Sequence, residues 1–276
     1  MLKKIGVLLT SYNRCSIALR CLDLLSDADV PNGYTLDIFF VDDASSDSTK
    51  KQITSKFPNV NIIDGNGELY WNRGMFTAWK YASKSFDFDF YLWLNDDTFL
   101  YKNSLKLLLN TADSVKPDSI IAGTICSPKN KKFISYGGYD NFGRINPNGI
   151  TKKCDSFNGN CVLVPKKIFK TIGNLDYYFN HSFGDIEYGL RAKKAGFNLY
   201  ITCNPVGECE RNPWPPAYLD LKKSVFQRFK IFYSPLGFHP KESFYLNRKY
   251  KSILYALLIS IKLHLNVLFP FILKKP

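Results

Sequence analysis

The stretch YLWLNDDT at residues 91–98 decides the fold, because an aromatic and aliphatic run stops there at two adjacent carboxylates. A short apolar run of this kind is typical of a buried strand. Its polar end is therefore expected at the carboxyl edge of a sheet, where open α/β folds bind ligands. Adjacent acids also form solvated turns or helix caps, so Asp96 and Asp97 indicate a site only together with other motifs.

Similar units of strand, polar end and helix recur along the chain. We predict strands at 4–10, 36–41, 61–63, 91–94, 120–125, 161–164 and 198–202. We predict helices at 16–25, 73–84, 105–109 and 185–196. Two further helices are predicted, one that follows the second strand and ends near residue 56, and one that begins at residue 165. Residues 135–153 are predicted to form a hairpin or loop. This alternation predicts an α/β fold, with a mostly parallel, Rossmann-like sheet flanked by helices.

Length and charge divide the chain into two parts. A chain of 276 residues with 45% hydrophobic content fits one large domain with an appendage. The formal net charge is +13, but residues 222–276 hold eleven Lys or Arg and the single acid Glu242, which leaves only +3 for residues 1–221. We therefore predict a nearly balanced catalytic domain at 1–221 with a basic C-terminal segment at 222–276, and no nucleic-acid partner.

The C-terminal segment carries an apolar stretch at 253–273 that Lys262, His264 and Asn266 interrupt. A spanning helix needs about 20 apolar residues, so an amphipathic helical tail on an anionic membrane surface fits the composition better. The alternative is a helix packed on the body or on a partner subunit.

The chain has seven cysteines without a CxxC pair, and no secretory leader precedes them, which favours reduced thiols. We therefore expect a cytoplasmic protein, peripheral at the inner face of the cytoplasmic membrane.

Carboxylates occupy three positions that a parallel sheet would bring to one edge. They are the pair Asp42-Asp43, the pair Asp96-Asp97, and Asp185 with Glu187. Mg²⁺ and Mn²⁺ prefer oxygen ligands and commonly link one or two carboxylates to substrate phosphates. Asp97, at the tip of its strand, is therefore the first candidate metal ligand, and Asp96 is a candidate contact of the donor's ribose or sugar.

Four motifs in order resemble the inverting glycosyltransferases of family 2, which have the GT-A fold. TSYNR at 10–14 resembles the opening nucleotide loop, VDDASSD at 41–47 the "VDDGSTD" segment, and NDD at 95–97 the DxD motif. FGDIEYGLR at 183–191 resembles the "ED" helix. The resemblance covers roughly residues 4–205, and four ordered motifs are far more specific than any one of them.

The resemblance implies a site residue by residue. Thr10, Tyr12, Arg14 and Asp42 would form the cleft for base and ribose. Asp42 would accept the N3–H of uracil or thymine, which favours a UDP or dTDP donor. Asp185 would be the catalytic base that deprotonates the acceptor hydroxyl. The alternatives are a turn cap for Asp42 and a helix cap for Asp185.

Residues 66–75, NGELYWNRGM, narrow the resemblance to bacterial rhamnosyl- and galactofuranosyltransferases of surface polysaccharide synthesis. Arg73 would pair with the donor's diphosphate. Trp71 would stack on a donor or acceptor sugar, although an aromatic side chain beside a helix start is as often core. His181 and Glu187 are further candidates for donor or acceptor contacts.

Two positions depart from the family pattern. Asn95 replaces the first acid of the DxD motif, so a metal would depend more heavily on Asp97. A late histidine ligand of the family is missing from 206–210, where Glu208 is a candidate substitute.

The sequence therefore predicts a Mn²⁺- or Mg²⁺-dependent inverting glycosyltransferase. It would move a sugar such as rhamnose or galactofuranose from a UDP- or dTDP-sugar to a hydroxyl of a growing, lipid-linked bacterial surface glycan. One alternative is a sugar nucleotidyltransferase, although residues 10–14 lack the glycine expected of its phosphate loop. The other is a catalytically silent scaffold held at a membrane.

Overall fold

Strands and helices alternate through the first half of the chain, as the sequence predicts. The structure, a computed structural model, describes residues 2–272. Its first elements are β1 Lys3–Ser11, α1 Cys15–Ser26, β2 Tyr34–Asp42, α2 Thr49–Lys56, β3 Asn61–Asp64, α3 Tyr70–Ser85, β4 Phe90–Leu94, β5 Phe99–Leu100, α4 Ser104–Ser114 and β6 Ile120–Cys126.

The second half begins with short strands and ends with helices. Its elements are β7 Ile134–Tyr136, β8 Gly138–Asp140, β9 Gly143–Arg144, β10 Lys152–Lys153, β11 Ser156–Phe157, β12 Cys161–Pro165, α5 Lys166–Ile172, α6 Gly184–Lys194, β13 Leu199–Glu208, α7 Val225–Phe232, α8 Pro240–Tyr250 and α9 Ile253–Leu268. The predicted hairpin or loop at 135–153 contains the β8–β9 hairpin, which β11 extends to a three-stranded sheet.

The main sheet is mostly parallel and flanked by helices, which confirms the predicted fold class. Its strand order is β10-β13-β6-β12-β4-β1-β2-β3. Strands β3, β2, β1 and β4 are parallel neighbours, and β13 is parallel to β6. Strand β12 is antiparallel to both β4 and β6. No crossover helix precedes β12; the chain reaches it through the small sheet and so enters the main sheet in the opposite direction.

The sheet is buried on both faces, which explains the unbroken apolar run before the acidic pair. Tyr91 and Trp93 of β4 point into a cluster with Trp79 of α3. Leu92 and Leu94 point into the opposite cluster, which is packed against α1 and α4. Successive strand residues face opposite sides, so a strand covered on both sides has no position for a polar residue until it ends.

The C-terminal helices contact the body mainly through α8. Glu242 accepts hydrogen bonds from the backbone and side-chain nitrogens of Asn180, at 2.9 and 2.6 Å. Lys249 contacts Asp176 at 3.0 Å and Glu187 at 2.9 Å.

Among the helices in residues 2–272, none is long and apolar enough to cross a membrane. The domain boundary at residue 221 stays a prediction, and residues 273–276 of the predicted tail lie outside the described residues.

Candidate active site

The carboxyl ends of β1, β2 and β4 meet at one edge of the sheet. Ser11 at the end of β1 lies directly beside Asp42 at the end of β2. The Ser11 hydroxyl donates to Asp96 Oδ2 at 2.6 Å, just beyond the end of β4. The acidic ends of β2 and β4 thus lie at one edge, as the sequence predicts, and Ser11, which the sequence did not indicate, lies between them.

Arg14 bridges the two acids of the motif at 95–97, which we call the acidic motif. Its Nη1 donates to Asp96 Oδ1 at 2.8 Å and its Nη2 to Asp97 Oδ2 at 2.9 Å. Asp96 is buried, and burial raises its pKa to about 6, although Arg14 and the Ser11 bond act in the opposite direction. The two carboxylates in turn raise the pKa of Arg14 in spite of its burial. Arg14 therefore orients both acids.

Asp42 and Asp43 are both buried but have different environments. Asp42 Oδ2 accepts one long bond, from Ser45 N at 3.3 Å, and its Oδ1 is buried without a partner. The Asp43 carboxylate accepts three backbone N–H groups at the start of α3, from Gly67, Leu69 and Tyr70. Asp43 thus fixes α3, a role that the sequence reasoning missed, while Asp42 keeps a free acceptor for a ligand.

Thr10 and Tyr12 flank this edge. Thr10 packs so closely on α3 that a Cβ on Gly74 would collide with its side chain. Tyr12 is 51% exposed. Their positions beside Asp42 and Arg14 suit the predicted cleft, and their contacts with a nucleotide stay predictions.

Trp71 links the acidic motif to the predicted base. Its indole N–H donates to Asn95 Oδ1 at 2.6 Å, and its ring packs edge-on against Trp93. The same ring lies against Gly159, where any Cβ would collide with it. Gly159 N–H donates to Asp185 Oδ2 at 2.9 Å. Trp71 is thus partly a core residue, which was the alternative to a sugar contact. It also sets the spacing between the acidic motif and Asp185.

Asp185 lies in the first turn of α6 and is held by backbone donors. Besides Gly159, the Ile186 N–H donates to its Oδ1 at 2.8 Å. Burial raises the pKa of Asp185, and these N–H groups partly oppose the rise. Each carboxylate oxygen retains a lone pair after its one bond, so stabilising the start of α6 is compatible with accepting a proton.

Two of the predicted contact residues are occupied elsewhere. Glu187 is fully buried and paired with Arg191 and Lys249, and its contact with donor or acceptor stays a prediction. Within residues 2–272, Arg73 forms no ion pair with an acid. Its Nε donates to Tyr177 O at 3.2 Å, and its guanidinium lies over the Tyr177 ring. Arg73 therefore holds the loop before α6, and its contact with the donor's diphosphate stays a prediction.

His181 lies close enough for the charges of the acidic motif to act on it. Burial lowers the pKa of His181, Arg14 lowers it further, and Asp97 acts in the opposite direction. Its Nδ1 is buried without a hydrogen-bond partner. A neutral imidazole beside the site suits its prediction as a ligand contact, which stays a prediction.

A metal at this site would have few ligands from the protein. Within residues 2–272 there is no group of three His, Cys, Asp or Glu side chains placed to hold a metal. Glu208 is taken by Lys131 at 3.2 Å, and Cys209, which the sequence reasoning missed, lies 3.6 Å from Asp97 Oδ1. Asp97 is about one-third exposed. One accessible carboxylate that shares a cation with substrate phosphates is a common Mg²⁺ arrangement, so the residues fit such an ion.

The chain is similar to known glycosyltransferases. The family model described as "Glycosyl transferase family 2" matches residues 6–173. A low-salt glycan biosynthesis hexosyltransferase of Haloferax volcanii, Agl10, is 24% identical over 250 residues, 80% of each chain.

Two solved structures share the fold. The mannosyltransferase PcManGT of Pyrobaculum calidifontis, in complex with GDP-Man and Mn²⁺, is 14% identical with a TM-score of 0.56, over 98% of this chain and 82% of that one. TarS 1–349 of S. aureus, in complex with UDP, is 15% identical with a TM-score of 0.55, over 76% of this chain and 61% of that one. The narrower resemblance to rhamnosyl- and galactofuranosyltransferases stays a prediction. Because the family model covers most of the fold and all but the last of the four motifs, the chain belongs to glycosyl transferase family 2.

Proposed function

We propose that the protein is an inverting glycosyltransferase in which Asp185 is the catalytic base. The observation that carries this proposal is the connection from Asn95 through Trp71 and Gly159 to Asp185, which fixes a carboxylate beside the acidic motif. A base has to lie within hydrogen-bond reach of the proton that it removes. The family match favours a transferase over a sugar nucleotidyltransferase, and the scaffold alternative predicts neither donor binding nor turnover.

The reaction is one displacement at the anomeric carbon. The acceptor oxygen attacks C1 of the donor sugar while Asp185 takes the proton from that hydroxyl. The bond between C1 and the β-phosphate oxygen breaks, and its electron pair leaves with the nucleoside diphosphate. Attack from the face opposite the leaving group inverts the configuration. Burial raises the pKa of Asp185, which makes it a better proton acceptor than an exposed Asp.

The donor is a UDP- or dTDP-sugar. Asp42 Oδ1 is a buried acceptor without a partner, and such atoms in folded proteins usually gain one from a ligand or water. The N3–H of uracil or thymine is a donor of the right kind. Guanine also carries N–H donors on its pairing edge, and one structural neighbour is a complex with GDP-Man. GDP-sugars are therefore the critical comparison.

A divalent cation, Mn²⁺ or Mg²⁺, would be held by Asp97 together with the donor's diphosphate. When bound, such an ion would stabilise negative charge on the leaving group. The chain's own contribution is Arg14, which orients Asp97 and Asp96 through one bond to each. Asp96 is nearly inaccessible, so its most direct service is to hold Arg14.

The acceptor is a hydroxyl of a growing glycan on a lipid carrier at the inner face of the cytoplasmic membrane. The support for this is the C-terminal segment, with its net charge of +10 over residues 222–276. Helix α9 also exposes apolar side chains, among them Leu254 at 65% and Ile261 at 58%. Cationic and apolar surfaces together favour an anionic membrane surface.

A donor panel tests the transferase proposal. Purified protein with Mn²⁺ is incubated with UDP-, dTDP- and GDP-sugars, including dTDP-rhamnose and UDP-galactofuranose, and release of the nucleoside diphosphate is measured. We expect release from a UDP- or dTDP-sugar that Asp185→Asn lowers at least ~100-fold. Asp155→Asn is the matched control, because Asp155 is an exposed acid paired with Lys193 of the same helix α6. Release from no donor, or full activity of Asp185→Asn, would overturn the proposal.

A further inference from the structure

A second cavity lies outside the candidate active site, between α8, α9 and the loop that precedes α6. Its volume is about 410 Å³, within the range of small-molecule sites. The side chains that give it its chemistry are Tyr178, Tyr233, Lys241, Tyr245, Arg248 and His264. We call it the α8–α9 cavity. No part of the transfer reaction described above uses it.

Helix α8 lines the cavity with one face that combines cations and aromatic rings. Lys241, Phe244, Tyr245 and Arg248 follow the spacing i, i+3, i+4, i+7, which places them on one side of a helix. Lys241 and Arg248 form no ion pair within residues 2–272, and no carboxylate lines the cavity. Two uncompensated cations in an aromatic pocket favour an anionic ligand.

An acid that contacts the wall of the cavity, Asp176, is already paired. Asp176 accepts a hydrogen bond from Tyr245 Oη at 3.0 Å and contacts Lys249 Nζ at 3.0 Å. Tyr245 also stacks on Tyr178, with ring centroids 4.1 Å apart. These contacts hold Tyr245 in place in the wall of the cavity.

Helix α9 continues the cavity into an exposed apolar surface. Ser260 and His264 line the cavity, and both nitrogens of the His264 ring are used, by Tyr233 Oη and Ser260 O, each at 2.6 Å. At about 100° per residue, the adjoining side of α9 is apolar and exposed. We call this side the apolar face of α9: Leu254, Leu257, Leu258, Ile261 and Leu265.

We infer that the α8–α9 cavity binds the phosphate-bearing headgroup of an anionic membrane lipid, whose chains lie along the apolar face of α9. Charge complementarity selects this occupant: the phosphate meets Lys241 and Arg248, and the hydrocarbon meets the leucine and isoleucine side chains next to the cavity. A free phosphate would leave the apolar face exposed, and a neutral lipid would leave two cations without a partner. The inference rests on the proposed membrane association and is independent of the transfer chemistry.

Vesicle binding tests the inference directly. The full chain is sedimented with phosphatidylcholine vesicles that contain or lack phosphatidylglycerol. We expect binding that requires phosphatidylglycerol and that K241Q/R248Q weakens about 30-fold, since each cation near an anionic surface contributes about a factor of five. K80Q/K84Q is the matched control, because these two exposed lysines of α3 form no ion pair in the described chain and lie outside the cavity. It should bind within about twofold of wild type.

A second measurement separates the cavity from general attraction to charge. Calorimetric titration of wild-type protein with a short-chain phosphatidylglycerol should give saturable binding, whereas inorganic phosphate and a short-chain phosphatidylcholine should give none. Equal binding to both kinds of vesicle, equal loss in both double variants, or no saturable titration would each overturn the inference. Donor hydrolysis is measured on the same samples. Hydrolysis without lipid binding refutes the cavity site alone, and lipid binding without hydrolysis refutes the transferase proposal alone.

Discussion

Substituting Asn for each of the adjacent acids Asp42 and Asp43 should separate ligand binding from stability. The buried Asp43 carboxylate accepts three backbone N–H groups at the start of α3. Its Oδ1 accepts from Gly67 at 2.8 Å, and its Oδ2 accepts from Leu69 at 2.9 Å and Tyr70 at 3.2 Å. An Asn keeps only one acceptor oxygen and turns an NH₂ group towards the remaining donors. One or two of the three bonds are therefore lost.

The loss in Asp43→Asn can be given a magnitude. A hydrogen bond to a charged group contributes about 1.5–3 kcal/mol, and leaving a buried donor unsatisfied costs about 1–3 kcal/mol. We expect the free energy of unfolding to fall by about 2–4 kcal/mol, measured by urea denaturation with the slope unchanged. Asp64→Asn is the matched control at the end of the next strand, since its exposed pair with Lys50 contributes about 0–1 kcal/mol.

Asp42→Asn should behave in the opposite way. Within the protein its carboxylate accepts only the 3.3 Å bond from Ser45 N–H, and an Asn oxygen can accept that bond as well. Stability should change by less than about 1 kcal/mol. Loss of a charged acceptor for the base should weaken UDP or dTDP binding about 10- to 150-fold, measured by calorimetry. The reasoning is refuted if Asp42→Asn destabilises the fold as much as Asp43→Asn, or if it binds the nucleotide as tightly as wild type.

Three further predictions concern the base and its supports. The value of kcat/KM should fall as pH drops through the pKa of Asp185, because the base works deprotonated. Burial raises that pKa above the ordinary 3.8, so a pH–rate profile that is flat down to about pH 4 would contradict the assignment. Gly159→Ala should lower kcat about 10- to 100-fold by displacing Trp71, with UDP affinity retained in calorimetry. Lys249→Met should lower the free energy of unfolding by about 1–3 kcal/mol, because it leaves buried Glu187 with one cation fewer. Guanidinium denaturation measures this loss, and Lys249→Arg should lower the free energy of unfolding by less than Lys249→Met does.

The positions of the strand ends could be predicted from the sequence because they depend on a local contrast. The run at 91–94 has no polar position since both faces of β4 are covered, and the first polar residues after it must lie at the sheet edge. The same contrast located Asp42 at the end of β2. Antiparallel β12 was not predicted, because a strand's direction depends on how the preceding segment crosses the sheet, and apolar patterning carries no direction.

The partners of individual polar groups could not be predicted, because they depend on contacts between distant segments. Asp43 and Asp42 are chemically identical neighbours, yet only Asp43 meets the start of α3. Glu187 matched a family motif, but the helix α8 that covers it follows more than 50 residues later. Gly159 carried no signal of its own, since its close approach to Trp71 appears only after β12 has paired with β4.

The acidic motif is better understood as a cost to the fold than as a source of its stability. Burial raises the pKa of Asp96 to about 6 from an ordinary 3.8, despite the bonds from Ser11 and Arg14. A carboxyl group whose pKa is higher in the folded than in the unfolded protein stabilises the fold at pH values below its pKa in the unfolded protein. This stabilisation is lost as the pH rises through the pKa of the group in the folded protein. At pH 7 the ionised Asp96 therefore costs about 3 kcal/mol relative to its neutral form. A buried ion pair is weak evidence for stability, and this one fails to offset the desolvation of its own acid. Retaining an ionised carboxylate there fits a residue whose purpose is to hold Arg14 and Asp97 in place for a ligand.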